Sequence, residues 1–228
     1  MKIGKLGYWT RDYLYAIHKQ GQDFLFRKPP RHYLDYINED KSPIVLIPGL
    51  FEKWHFLQAI ADPLSLKGHP VYVLDHLEYN SKEIPHSAKL VQEFIDAKNL
   101  KGVVLITHSK GGLIGKYLVT FYDKNERVKK LITVATPFNG SAITKFFRQK
   151  AIKELSPDSD IIKELHKEKE PNRKVTSIYG VFDNHIWPES SCHLEGAENI
   201  QVEAHGHHKI LNNGRVIDIV MRRVEEIV

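Results

Sequence analysis

The sequence predicts a doubly wound α/β fold: a mostly parallel sheet of about six strands with helices on both faces and a small helical cap. Three observations lead there. Short apolar runs recur without polar alternation, as in strands covered on both faces. Helix-length segments separate them, the alternation of parallel crossover units. Polar, glycine- or histidine-bearing turns gather at the carboxyl ends of the runs, where open parallel sheets meet their ligands.

In chain order, residues 1–42 read as a helical extension, with a helix around Trp9–Phe26 broken by Lys28-Pro29-Pro30. Ile44–Ile47 is the first strand, followed by Pro48-Gly49-Leu50-Phe51 and a helix from about Trp54 to Leu66. Val71–Leu74 leads through Asp75-His76 to a helix from about Ser87 to Lys98. Val103–Ile106 runs into Thr107-His108-Ser109-Lys110-Gly111-Gly112, after which Leu113, Ile114, Tyr117, Leu118 and Phe121 mark a helical face. Val128–Ala135, Val175–Tyr179 and Ile200–Val202 complete the sheet, and a last helix spans about Asn212 to Glu226. Residues 138–171 exceed what one crossover helix needs. Their two apolar stripes (Ile143, Phe146, Phe147, Ile152, Leu155, then Ile161, Ile162, Leu165), parted at Ser156-Pro157-Asp158, read as a cap over a site. Residues 1–228 thus form one α/β domain with an extension over about 1–42 and a cap over about 138–171.

Composition narrows the function classes. The chain is 42% hydrophobic and 27% charged, the balance of a globular protein. No stretch reaches the roughly 18–20 apolar residues of a membrane span. Charges every few residues in MKIGKLGYWTRDYLY argue against a secretory signal and for the cytoplasm. The single Cys192 excludes an internal disulfide and a multi-cysteine zinc site. The net charge of +5 comes from basic residues that mostly alternate with acids, as in KELHKEKEPNRK; that is the pattern of solvated helix faces and predicts no nucleic-acid partner.

The strand ends carry the chemistry. A serine lies at the apex of a strand–turn–helix, aspartates follow other strands (Asp75 and Asp183), and His205, His207 and His208 follow the last. A serine hydroxyl needs an adjacent base, an imidazole can supply it near neutral pH, and a carboxylate behind the imidazole fixes its tautomer. Three imidazoles in AHGHH rarely aim at one point in so short a loop, and H-E-x-x-H is absent, so neither a metal nor an organic cofactor is expected. Phe51, Trp54 and Phe138 are candidates for an apolar substrate pocket, and His55 and His185 for site-lining or surface positions.

From about residue 43 onward the chain resembles the α/β-hydrolase superfamily of lipase and esterase type. His108-Ser109-Lys110-Gly111-Gly112 matches its H-S-x-G-G turn, VATPFNGS and GVFDNHIWPES resemble segments after the next strands, and GHHKILNNGRVIDIV resembles the terminal loop and helix. Thr107 departs from the pattern, standing where the family keeps a first glycine. The resemblance implies Ser109 as nucleophile, Asp183 as acid and His207 after Gly206 as base, with His208 the alternative base. It also implies the backbone N–H groups of Leu50 and Lys110 as oxyanion donors. The expected activity is cleavage of a small-molecule or lipid carboxylic ester through an acyl-enzyme on Ser109. Acyltransferase, thioesterase or lactonase chemistry on the same groups, or a non-catalytic binding shell, are the alternatives. An opening cap would expose Phe146, Phe147 and Ile152 beside Lys145, Arg148 and Lys150, allowing peripheral contact with an anionic membrane. Nothing in the sequence sets the oligomeric state.

Overall fold

A computed structural model describes residues 4–227. Its sheet has six strands, all paired in parallel, in the order β2-β1-β3-β4-β5-β6. They are β1 (Ile44–Ile47), β2 (Val71–Tyr72), β3 (Val103–His108), β4 (Val128–Val134), β5 (Val175–Phe182) and β6 (Glu198–His205). The helices are α1 (Lys5–Leu25), α2 (His32–Asp35), α3 (Gln58–Leu66), α4 (Ile84–Ala97), α5 (Lys110–Phe121), α6 (Lys150–Lys153), α7 (Asp160–Lys167) and α8 (Gly214–Glu225). Among the described residues no helix is long and apolar enough to cross a membrane.

The bare apolar strands feed two cores because successive side chains point to opposite faces. Ile44 and Leu46 of β1, with Val104 and Ile106 of β3, join α3 and α8 on one side. Val45 and Ile47, with Val103 and Leu105, join α4, α5 and α7 on the other. Burying both faces stabilises a parallel sheet through apolar area, at roughly 25 cal/mol per Å² removed from water. Helix ends are placed by local chemistry: Asn213 accepts from the N–H groups of Arg215 and Val216 at the start of α8, and Ser159 accepts from Ile162 at the start of α7.

The two stripes of residues 138–171 separate. Ile162 and Leu165 of α7 are buried in the sheet-side core against α5, so this stripe is a crossover helix and not a cover. The earlier stretch, a 3-10 turn (Ala142–Phe146) and α6, stays at the carboxyl edge of the sheet. Ser141 anchors it, its hydroxyl donating to the His185 carbonyl at 2.8 Å and accepting from the Trp187 N–H at 3.0 Å.

Candidate active site

β3 delivers Ser109 on a sharp turn. Its backbone lies at φ 51°, ψ −123°, a conformation L-residues rarely adopt, held by a hydrogen bond from its N–H to the Val134 carbonyl (3.0 Å). The turn requires α5 to lie almost on the sheet. A Cβ added at Gly111 would come within 2.2 Å of the Ile47 carbonyl oxygen, and one at Gly112 within 2.0 Å of the Thr136 hydroxyl. Thr107 is tolerated because the closest approaches fall on these two glycines and on Gly115, where an added Cβ would meet Leu131 at 2.6 Å but Thr107 only at 3.5 Å.

Ser109, His207 and Asp183 come together in line. His207 Nε2 is 2.9 Å from Ser109 Oγ, and His207 Nδ1 is 2.8 Å from Asp183 Oδ2. Burial works to raise the Asp183 carboxyl. The charge and hydrogen bond of His207 and the His185 N–H outweigh it, holding the group below the usual carboxylate range. An ionised Asp183 can only accept, so His207 Nδ1 donates to it and Nε2 is free to accept from the serine hydroxyl. The other Asp183 oxygen accepts from the N–H groups of His185 (2.7 Å) and Ile186 (2.9 Å), which fixes the carboxylate. His208, the alternative base, is turned away: its Nδ1 donates to Asp12 at 2.8 Å, and its Nε2 lies 3.5 Å from Glu52. Asp75, the rival acid, occupies the 3-10 turn after β2, and the His207 nitrogen it would need is taken by Asp183.

Two buried carboxylates that the sequence reading overlooked hold this line in place. Asp12, on α1, accepts from the backbone N–H groups of His208 and Lys209 (both 2.7 Å), from His208 Nδ1 and from the Asn184 amide (3.1 Å). Asn184 in turn accepts from the His207 N–H at 2.9 Å. Burial again opposes ionisation of Asp12, but the hydrogen bond and charge of His208 win and its carboxyl stays far below the ordinary range. Glu52 accepts from the Gly49 N–H (2.7 Å) and faces His108 Nδ1 at 2.8 Å, while His108 Nε2 donates to the His207 carbonyl at 3.0 Å. Burial is again outweighed: His108's charge and hydrogen bond hold the Glu52 carboxyl down, and Glu52's charge and hydrogen bond raise His108. A signal for both acids was present in principle. Buried imidazoles at 108 and 208 each need a partner, and neither was assigned one.

A cleft of about 340 Å³ opens over Ser109. Leu50, Phe51, Tyr13, His185 and His207 line it, with Ile143, Phe147, Ile152 and Leu155 from the earlier apolar stripe. Trp54 and Phe138, the other predicted pocket residues, are elsewhere. Trp54 is buried between Tyr33 and His55, and Phe138 is buried in the core beside α7. Each is large and apolar, and each is drawn into packing instead of the cleft. The Lys110 side chain is also buried away from the cleft, its Nζ donating to the Lys82 carbonyl and lying 3.6 Å from Glu154. Its backbone N–H opens α5, where no intrahelical acceptor exists. His55 is buried with its Nδ1 facing Asp23 of α1.

Of the AHGHH histidines, His205 stacks on Tyr8, with ring centres 4.1 Å apart, outside the cleft. The imidazoles that converge are His185, His207 and His208, one ring nitrogen of each lying within 4.8 Å of the others. Carboxylates already hold Nδ1 of His207 and of His208, and Ser109 faces the remaining nitrogen of His207. His185 stacks on His207 with ring centres 4.8 Å apart. Burial, then the charges of His207 and His208, pull its pKa down to about 3. The unfolded chain therefore takes up a proton at residue 185 near pH 6.5 while the folded chain does not. That group's stability contribution is lost as pH falls from about 6.5 towards 3, with a slope of up to about 1.4 kcal/mol per pH unit. Urea unfolding followed from pH 7 to pH 4.5 is expected to show this loss, and His185→Gln to flatten it. Below about pH 5, Asp12, Asp183 and Glu52 add acid losses of their own, since their folded pKa values lie below the unfolded ones, so the His185 loss is separate from theirs only from about pH 6.5 to 5.

Known proteins share this arrangement of strands and loops. Residues 42–154 match the family described as the alpha/beta hydrolase fold. A Mycoplasma pneumoniae protein named as a candidate esterase/lipase is 31% identical over 101 residues, covering 43% of this chain; the match spans only 36% of that relative's length. Among solved structures, Aspergillus fumigatus lipase B superposes with a TM-score of 0.73 at 16% identity, over 86% of this chain and 55% of that one. The mature Bacillus licheniformis lipase gives 0.64 at 16% identity, over 84% of this chain and 95% of that one. A Paleococcus ferrophilus monoacylglycerol lipase gives 0.59 at 15% identity, covering 82% and 95%. Six parallel strands, helices on both faces and the local sequence match agree: this chain is an alpha/beta-hydrolase-fold protein with lipase- and esterase-like neighbours.

Proposed function

We infer that the protein is a serine hydrolase that cleaves carboxylic esters with apolar acyl groups. The observation that carries the reading is the pair of hydrogen-bond distances linking Ser109 Oγ to His207 Nε2 (2.9 Å) and His207 Nδ1 to Asp183 (2.8 Å). On attack, the Ser109 proton passes to His207 Nε2 as Oγ bonds to the ester carbonyl carbon. Asp183 stabilises the imidazolium, and the N–H groups of Lys110 and Leu50 receive the oxyanion, each such donor being worth about 3 kcal/mol. His207 then protonates the departing alkoxide, leaving an acyl-enzyme. A water then attacks the acyl carbon as its proton passes to His207; the bond to Ser109 Oγ breaks, the acid leaves, and His207 returns the proton to Ser109.

The apolar wall of Ile143, Phe147, Ile152 and Leu155 supports an acyl site, and we assign the capping role to residues 138–155 alone. A fluorophosphonate probe is expected to label Ser109 in the folded protein. Absence of adduct there would sink the reading in favour of a non-catalytic shell. Across p-nitrophenyl esters, kcat/KM is expected to rise from acetate to medium chains, since each buried methylene contributes about 0.8 kcal/mol, and to fall at palmitate, which overruns the cleft. A flat series would place the acyl chain outside the cleft.

A further inference from the structure

α1 is amphipathic in the reverse of the usual sense. Its buried positions are Asp12, Ala16, Lys19 and Asp23, three of them charged. Its outward positions include Leu6 (82% exposed), Leu14 (62%), Ile17 (63%) and Phe24 (75%), with Leu25 also exposed. Thr10, Gln20 and Gly21 fill the gaps between them, so the face is uncharged along the length of the helix, bordered on one side by Arg11 and His18. An apolar face this long is far beyond the scattered exposed hydrophobics of an ordinary surface.

Charge decides what could cover it. Between residues 5 and 31 the only acids are Asp12 and Asp23, and both are buried. The exposed charges there are all basic: Lys5, Arg11, Arg27, Lys28 and Arg31. A second copy docked through this face would bring two such basic sets together, whereas an anionic lipid surface would meet them with opposite charge. The face also continues to the cleft. Tyr13 on α1 lines its mouth, Trp9 lies beside Trp187, and Phe146 (76% exposed) stands beside exposed Lys145 and Arg148.

We propose that the outward face of α1 docks the protein on an anionic phospholipid bilayer, lying in the plane of the interface with the mouth of the cleft turned to the lipid. Docking needs no turnover, so it stands or falls separately from the hydrolase reading. The test is flotation of the full chain with diether phosphatidylglycerol or phosphatidylcholine vesicles, whose lipids carry no ester to cleave. The wild type is expected to float with phosphatidylglycerol vesicles and about tenfold or more weakly with phosphatidylcholine, with binding that weakens as salt rises. Leu14→Ser/Ile17→Ser/Phe24→Ser is expected to lower affinity by about a hundredfold while its hydrolysis of soluble p-nitrophenyl acetate matches the wild type. Arg27→Glu/Lys28→Glu, which leaves the helix untouched, is expected to lower binding about tenfold and flatten its salt dependence. Failure of the wild type to float, or binding by both variants equal to that of the wild type, would overturn the proposal. So would sedimentation of a dimer that the triple substitution dissociates, which would make the face a contact between copies.

Discussion

Ser109→Ala is expected to lower kcat on a soluble ester by about five to six orders of magnitude, because residues that act as a unit lose nearly the whole of their joint effect when one is removed. The fold should be almost unaffected. The turn at φ 51° is held by the close approach of Gly111 and Gly112 to β1 and to Thr136, and alanine takes up the same backbone as serine. Unfolding free energy is expected within about 0.5 kcal/mol of the wild type. His207→Ala should be comparably inactive. His208→Ala should lose far less, since its ring is bonded to Asp12 and not to the nucleophile. If instead His208→Ala proved inactive and His207→Ala merely slow, the proton path drawn here would be wrong. A Ser109→Ala protein with readily measurable turnover would place the nucleophile elsewhere.

The second large effect is expected at Asp12, far from the reacting atoms in sequence and outside any recognisable motif. Alanine there removes the acceptor for two backbone N–H groups, an amide and an imidazole, all in the interior. Breaking a buried charged network by deleting one partner costs about 3–5 kcal/mol, and Asp12→Ala is expected to fall in that range by urea unfolding. Asn184, which positions the His207 backbone, loses its own partner, so kcat should drop as well. Asp12→Asn keeps one carbonyl oxygen for the two N–H groups and is expected to recover about half of the stability. Its kcat should recover less, because its amide nitrogen cannot accept from the Asn184 amide that positions His207. Equal behaviour of the alanine and asparagine variants would make Asp12 a simple space filler. KM for a soluble ester should stay near the wild type in both, since Asp12 does not line the cleft.

Legibility in the sequence followed how local each signal was. Bare apolar strands, the Ser109 turn and the late aspartate and histidine are written in short windows, and their chain order already implied convergence at strand ends. The choice between His207 and His208 was not local. It depends on which ring meets Asp183, and therefore on a loop that Asp12 and Asn184 set from elsewhere in the chain. Trp54 and Phe138 were misplaced because aromaticity alone does not say whether a side chain lines a cleft or fills a core. α7 was misplaced for the same reason: a stripe of Ile162 and Leu165 serves equally as a lid face or as sheet packing. α1 resisted reading most. Periodicity arguments assume that the apolar side of a helix faces inward, and here the charged side does.

The bonds from Asp12 to residues 208 and 209 also order events in time. They join positions 196 and 197 residues apart, the most remote contacts that the site depends on. Contacts of such separation form late, because the intervening chain must be closed before they can repay the entropy. During synthesis α1 emerges ahead of the sheet, and Asp12 must wait for these partners until the segment carrying His207 and His208 has left the ribosome. Refolding from urea should accordingly recover helical signal before esterase turnover. A nascent chain stalled short of residue 206 should carry Ser109 on a formed elbow yet remain silent to a fluorophosphonate.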